Sequence, residues 1–310
     1  MEWDPTQFFR EEENKTPPPF ALVVLNQPIN EIVLSVLSEH ALTTVCADGG
    51  ANRFFESAKS RGLEDTDIPD TIIGDLDSIR PEIRTHYANL GVNIVQDDDQ
   101  YSTDFTKSLR YLREHEERIL SHAATSSKYT LHHPIATSDP VSGERRRLEI
   151  LILGGLGGRV DQAFSQIHHL YMMNQHQSTS ASSAGSGSGS NTGHLYLISE
   201  ESITFILQPG PNTIHVPRTN RPNAKPHQLP APTVGEEDHL LEENVGIIPL
   251  SGLARITTSG FQWDVEDWAT SIGGQISTSN HIRAEVVHVN TDIPVLFTVE
   301  LARRLKRVSR

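Results

Sequence analysis

The chain has 310 residues, 36% hydrophobic and 21% charged, an ordinary globular composition with room for two modest domains. Its formal charge of -14 argues against a nucleic-acid binder, whose footprint is a basic face. A single cysteine, Cys46, excludes an intrachain disulfide and suits a reducing compartment, and no uninterrupted apolar run is long enough to predict a membrane span. Residues 1–20 are acidic, end in Pro17-Pro18-Pro19 and lack the basic start and apolar run of a secretion signal. They read as a flexible extension of a cytoplasmic protein. Strand-like runs then alternate with helical spacing. Ala21 to Leu25 precedes a helical stretch from Glu31 to Leu37, and Thr43 to Ala47 precedes a Gly-Gly turn and a helix through Phe54 and Phe55. Asp70 to Ile73 precedes a helix near Pro81 to Leu90, and Val92 to Val95 precedes one marked by Phe105, Leu109 and Leu112. Leu148 to Leu153 is followed by a helix marked by Val160, Phe164, Ile167 and Tyr171. Alternation with apolar strands predicts a parallel α/β sheet covered on both faces, over residues 21–177.

The second half changes character. A Ser/Gly-rich stretch at 178–193 reads as a linker. Beyond it, His194 to Ile198, Ser202 to Leu207, Asn212 to Val216, Gly246 to Leu250, Ala254 to Thr258, Gln275 to Ser279, Ala284 to Val289 and Val295 to Leu301 are short strand candidates separated by Gly, Pro and Asn. They predict an all-β sandwich or barrel over 194–302. Two polar stretches, about Glu114 to Arg147 and Arg218 to Asn244, read as inserted loops, and residues 303–310 as a basic, solvated tail.

Four clusters fall where a parallel-sheet enzyme places its site, in loops after strand ends. Asp48-Gly49-Gly50-Ala51-Asn52-Arg53 follows a strand and opens a helix, offering free N–H groups and a cation to an anion, although a tight turn with an Asp cap would use the same residues. Gly74-Asp75-Leu76-Asp77-Ser78 carries two carboxylates two residues apart, which suits Mg²⁺, or else an Asx turn. Four aspartates crowd Asp97 to Asp104, beside Gln100 and Lys107; a helix start tolerates Asp104 but does not explain the density of acids. Gly154-Gly155-Leu156-Gly157-Gly158-Arg159-Val160-Asp161 follows the most apolar strand. It lacks the Gly-Lys-Ser/Thr of a Walker loop and the third glycine of a dinucleotide fingerprint. Together the clusters gather aspartates, arginines and helix starts on one sheet edge, as a metal-bound polyphosphate requires. In the β half, Trp263 follows a glycine turn and could offer a rim indole to a flat cation, or pack in a core.

These blocks, with Thr258 to Trp263 and Ser277 to Asn280, resemble the thiamine pyrophosphokinase family in order and spacing over about Ala21 to Leu301. The resemblance implies transfer of a diphosphate from ATP to the hydroxyethyl oxygen of thiamine, with AMP released and Mg²⁺ as the metal. It implies an N-terminal Rossmann-like α/β domain, a C-terminal thiamine-binding β-sandwich, and a homodimer with its thiamine pocket between one subunit's α/β domain and the other's β-domain. Asp75, Asp77 and Asp104 would gather metal and phosphate. Asp48, Gly49, Asn52, Arg53, Lys107, Gly157 and Arg159 would hold ATP. Gln100, Asp161, Trp263, Ser277 and Asn280 would shape the thiamine site. A dehydrogenase is disfavoured by the missing fingerprint, a non-catalytic sensor by the retained acids, and a nucleic-acid protein by charge. A diphosphotransferase for another alcohol differs only in the β half.

Overall fold

The computed structural model describes residues 1–9, 18–123, 147–182, 193–222 and 238–306, in two compact units, Glu11–Ser199 and Met1–Arg10 with Glu200–Arg310. In the first unit, β2 (Phe20–Val24), β3 (Thr43–Ala47), β4 (Thr71–Gly74), β5 (Asn93–Gln96), β6 (Glu149–Leu153) and β7 (Leu195–Ile198) form parallel pairs in the order β7-β6-β2-β3-β4-β5. The inner strands are buried almost throughout, as strands covered by helices on both faces must be, and β5 at the edge is partly exposed. The helices are α1 (Glu31–Ser38), α2 (Gly50–Ser60), α3 (Pro81–Asn89), α4 (Asp104–Ala123) and α5 (Val160–Ser182). Asn30 caps α1 by accepting the Val33 N–H at 3.1 Å, and Pro81 opens α3, where its missing N–H costs nothing. Phe105, Leu109 and Leu112 bury one face of α4, as their spacing predicts.

Several boundaries differ from the sequence reading. His194 to Ile198 was expected in the β half, yet β7 pairs with β6 and completes the parallel sheet. An apolar run of four residues carries no sign of which sheet it joins. Helix α4 continues to Ala123, into the stretch expected as a polar loop, because its Glu and Arg residues are good helix formers; 124–146 lie outside the described residues. Helix α5 runs to Ser182, five residues into the expected linker, and 183–192 lie outside the described residues. It buries Gln166 and Leu170 and leaves Val160 and Phe164 exposed. No helix among the described residues is long and apolar enough to cross a membrane.

In the second unit, β1 (Glu2–Trp3), β9 (Gly210–His215), β14 (Val286–Thr291), β11 (Ala254–Ser259) and β12 (Trp268–Thr270) form one sheet, in the order β1-β9-β14-β11-β12. Outside that sheet, β13 (Ser277–His281), β10 (Leu241–Ile248), β15 (Val295–Leu301) and β8 (Ser202–Leu207) are hydrogen-bonded neighbours in that order. Strict alternation of buried and exposed residues along β11 marks a sheet with one covered face. Residues 1–9, expected in a flexible extension, are packed into this unit. Trp3 is 2% exposed, stacks on Phe205 of β8 at 4.8 Å, and donates its indole N–H to Asn212 Oδ1 at 3.0 Å. The burial of one large aromatic with a satisfied N–H holds the segment down. Strand β10 takes the last four residues of the expected 218–244 insertion; 223–237, like 307–310 of the basic tail, lie outside the described residues. Leu305 of that tail is buried in a short 3₁₀ turn.

Two predictions follow from packing. Trp3→Ala should lower unfolding free energy by about 3–5 kcal/mol in a urea titration, the usual result of emptying an aromatic site. Glu149 opens β6, where burial pushes its carboxyl up to about 8 while the His194 N–H, donating at 2.7 Å, opposes the rise. The folded chain therefore holds a proton that the unfolded chain releases near the ordinary value of 4.5, and stability falls as pH rises between 4.5 and about 8. Glu149→Gln should flatten that fall, seen as a melting-temperature advantage over wild type that grows from about pH 5 to about pH 9.

Candidate active site

In the parallel sheet, β3, β4 and β5 run off one side of β2, and β6 and β7 off the other. At such a reversal the loops leaving neighbouring strands part and open a crevice at the carboxyl edge. A cavity of about 420 Å³ is lined by Leu25, Asn26 and Gln27 after β2, Ala47 and Gly49 around the end of β3, and Asp75 and Ser78 after β4. Residues 99–105 after β5 and Gln162 and Gln166 of α5 complete it.

Asp48 leaves β3 with a φ of 39° and is 1% exposed. Its two carboxylate oxygens accept the Ser78 and Ile79 N–H groups at 3.0 and 2.9 Å. Asp75 and Asp104 bring further carboxylates, so that one oxygen from each of the three lies within 4.8 Å of the others. Burial is the main reason the Asp48 carboxyl rises to about 6; the two amides oppose the rise, and Asp104 and Asp75 add to it. Lys107, one turn along α4 and 1% exposed, donates to Asp104 Oδ1 at 3.2 Å. Gly74 lies between two of the acids. A Cβ there would stand 2.6 Å from Asp48 Cβ and 2.9 Å from Asp104 Oδ1.

The rest of the acid run has a different task. Arg110 reaches Asp97 at 2.5 Å and Asp99 at 3.8 Å. Asp97 accepts the Asp99 N–H, and Asp99 accepts the Tyr101 N–H and the Ser102 hydroxyl. These bonds hold both carboxyls below the usual range and shape the loop that presents Gln100 and the fully exposed Tyr101. Across the cavity, Gly158 has a φ of 63°, and a Cβ there would fall 2.2 Å from Gln27 Oε1, so the loop after β6 closes against the loop after β2. Arg159 spends its guanidinium on Asp161, with nitrogen–oxygen distances of 3.1 and 2.5 Å, and both side chains are exposed.

In the β unit, Trp263 is 55% exposed. Its main chain is held by Asn280, which accepts the Trp263 N–H at 3.2 Å and donates to the Trp263 carbonyl at 3.0 Å. The His281 ring lies 5.1 Å from the indole, and Ser277 opens β13 opposite Ile247.

The family model for the catalytic domain of thiamin pyrophosphokinase matches residues 34–181, and that for its vitamin B1 binding domain matches residues 227–296. Thiamine pyrophosphokinase 1 of Oryza sativa subsp. japonica is 31% identical over 291 residues, covering 91% of this chain and 87% of the rice protein. The chain belongs to the thiamine pyrophosphokinase family. Thiamine pyrophosphokinase 1 of Arabidopsis thaliana is 29% identical over 301 residues, covering 94% and 90%. The solved thiamin pyrophosphokinase from Candida albicans superposes with a TM-score of 0.70 at 26% identity, covering 97% of this chain and 92% of that one. The family makes thiamine diphosphate from thiamine and ATP.

Of the residues singled out in the sequence, Gly49, Asp75, Gln100 and Asp104 line the cavity. Asn52 is taken up in holding the loop after β4: its amide donates to the Ser78 carbonyl and accepts the Arg80 N–H. Arg53 faces Glu56 at 3.9 Å, and neither it nor Gly157, Arg159 or Asp161 is among the lining residues. Asp77 stands outside the carboxylate triangle and takes the Ser78 hydroxyl at 2.8 Å. Strand alternation does not govern Asp75 and Asp77, because β4 ends at Gly74 and Leu76, with a φ of 65°, turns the chain between them. Asn26, Gln27 and Gln166 were not anticipated, nor was Asp48 as the third acid. The Asn26-Gln27 pair follows the strand at the sheet's reversal, but a strand order is needed to see it. Gly74→Ala should push Asp48 and Asp104 apart. The variant should fold with a loss of about 1–3 kcal/mol in urea, and thiamine-dependent AMP release should fall about 10²-fold.

Proposed function

We propose that the cavity at the sheet edge of Glu11–Ser199 is where this chain carries out its family's diphosphate transfer from ATP to thiamine. The carboxylate triangle over a buried lysine carries the reading. Three carboxylates against one ammonium leave an excess of negative charge, and hard oxygen donors of this kind fit Mg²⁺. Asp75 and Asp104 of the triangle would hold the ion, with Asp77, which the family resemblance adds to them although it stands outside the triangle here. Asp48, with both oxygens on main-chain amides, fixes the turn that carries Asp75 and Asp77. Bound there, Mg²⁺ supplies neutralisation of phosphate oxygens.

The remaining work is binding and orientation. Gly49 and Arg53 at the start of α2, and Gly157 and Arg159 in the glycine loop, hold the phosphates of ATP through main-chain N–H groups and guanidinium charge. Lys107 lies too deep to meet the nucleotide and instead offsets the charge on Asp104. Gln100 and Asp161 of one subunit would shape the thiamine site with Trp263, Ser277 and Asn280 of the other, as the family resemblance implies. An exposed indole suits a flat cation. The thiamine hydroxyl oxygen forms its new bond to the β-phosphorus of ATP while the bond to the α-phosphate oxygen breaks, and AMP leaves. The hydroxyl proton leaves for solvent water as that bond forms, so a carboxylate, Asp104 or Asp77, orients the hydroxyl rather than removing its proton beforehand. Positioning and charge neutralisation supply most of the rate. The same reading takes the chain as a homodimer, on the family resemblance, in the cytosol, where its one thiol, Cys46, stays reduced.

An AMP assay with ATP and Mg²⁺, with and without thiamine and with a chelator control, tests the reaction. AMP and thiamine diphosphate should appear together, and only with thiamine and metal. ADP with thiamine monophosphate would contradict the mechanism. Asp75→Asn and Asp104→Asn should each lower kcat by about 10²-fold or more in folded protein. Trp263→Ala should chiefly raise the KM for thiamine.

A further inference from the structure

The β unit contains a second charged cluster that the reaction does not explain. Glu243 on β10 forms an ion pair with Arg283, just beyond β13, and both side chains are largely buried. The Arg283 guanidinium also donates to Gln262 Oε1 and faces His281 Nδ1 at 3.1 Å. His281 Nδ1 lies 2.9 Å from Gln262 Oε1 and 3.6 Å from Glu243 Oε1. Three side chains from β10, β13 and the turn before Trp263 thus meet around one guanidinium.

The network ends on the rim indole. Gln262 and His281 each adjoin a residue that sets Trp263: Gln262 precedes it in the chain, and His281 follows Asn280, the residue that brackets its main chain. Main-chain bonds tie the same two strands of chain together. The Gln262 N–H donates to the His281 carbonyl at 2.8 Å, and the Arg283 N–H to the Gly260 carbonyl at 2.8 Å. Ser279, with a φ of 57°, breaks the alternation of β13 beside a register shift in its pairing with β10, and Asn280 is 5% exposed. A half-exposed indole that touched only solvent and one ring would sample several rotamers. Here the ring that flanks it is fixed by three polar neighbours.

We propose that Glu243 and Arg283 are positioning residues for the thiamine half of the reaction: they hold His281 and Gln262, and through them set the orientation of Trp263. The proposal rests on the reading of Trp263 as a thiamine contact. Neither residue touches substrate or phosphate in this account. Their removal should therefore act on thiamine binding, not on the chemical step. A buried ion pair is weak evidence for stability but serves well to fix one arrangement among several. Arginine suits the task because its planar fork reaches Glu243 and Gln262 together, which a lysine ammonium would not reproduce.

The test uses Glu243→Gln and Arg283→Lys in the full chain, each conservative enough to keep shape, with a thermal melt to establish folding. Two readouts are taken: steady-state kinetics, and ¹⁹F spectra of protein labelled with 5-fluorotryptophan, the Trp263 line being assigned with Trp263→Phe. Both variants should raise the KM for thiamine about tenfold, with kcat and the KM for ATP within about twofold of wild type. The Trp263 line should shift or split in both, while the Trp3 line stays in place. A merely structural role would leave that line unmoved in variants that fold. An unchanged thiamine KM and ¹⁹F line in the two variants, beside a raised KM in Trp263→Ala, would overturn the positioning role alone. An unchanged KM in Trp263→Ala would instead sink the assignment of the rim and, with it, the positioning proposal.

Discussion

Crowding of like charge at one sheet edge is the constraint around which the α/β unit is built. Two unit charges about 4 Å apart repel by roughly 4 kcal/mol at an effective dielectric of about 20. Holding Asp48, Asp75 and Asp104 together is therefore unfavourable without compensation. The fold supplies it locally. Asp48 spends both oxygens on the Ser78 and Ile79 amides, Lys107 reaches Asp104 from the buried side of α4, and Asp104 stands in the first turn of that helix, where the dipole favours an anion. Gly74 is required because no side chain fits between the acids. Burial, more than the neighbouring acids, raises the Asp48 carboxyl.

Charge pairs elsewhere in the chain act on shape more than on stability. Arg110 gathers Asp97 and Asp99 into the turn that presents Gln100. Asn52 clips α2 to the loop after β4 without any charge. In the β unit the Glu243–Arg283 pair is proposed to do for Trp263 what Asp48 does for the turn after β4, where it accepts the Ser78 and Ile79 N–H groups.

Much of this was legible in the sequence. Short apolar runs located the parallel strands, and period-3.6 spacing the starts of their helices, to within a residue or two, but not the ends of α4 and α5. The four clusters lie on loops that leave β3, β4, β5 and β6, because strand ends can be placed from the sequence. Sheet order leaves no mark in the sequence, so neither the place of β7 in the parallel sheet nor that of Asn26 and Gln27 at its reversal can be read there. Asp48 read as a cap or a phosphate residue, since only the folded chain shows Ser78 and Ile79 reaching back to it. The turn at Leu76 was also invisible, because a leucine with positive φ leaves no mark in composition. Two-residue strands such as β1 carry too little pattern to recognise, and it is Trp3, by burial, that makes that segment part of the fold.

Binding of Mn²⁺, a paramagnetic substitute for Mg²⁺, tests the central claim most directly. The full chain would be titrated with Mn²⁺ in the presence of a non-hydrolysable ATP analogue and followed by electron paramagnetic resonance. The account predicts a tightly held ion in the wild-type protein, with affinity lowered at least about tenfold in Asp104→Asn. Equal affinity in the two proteins would show that the ion is held elsewhere and that the carboxylate triangle is not its site.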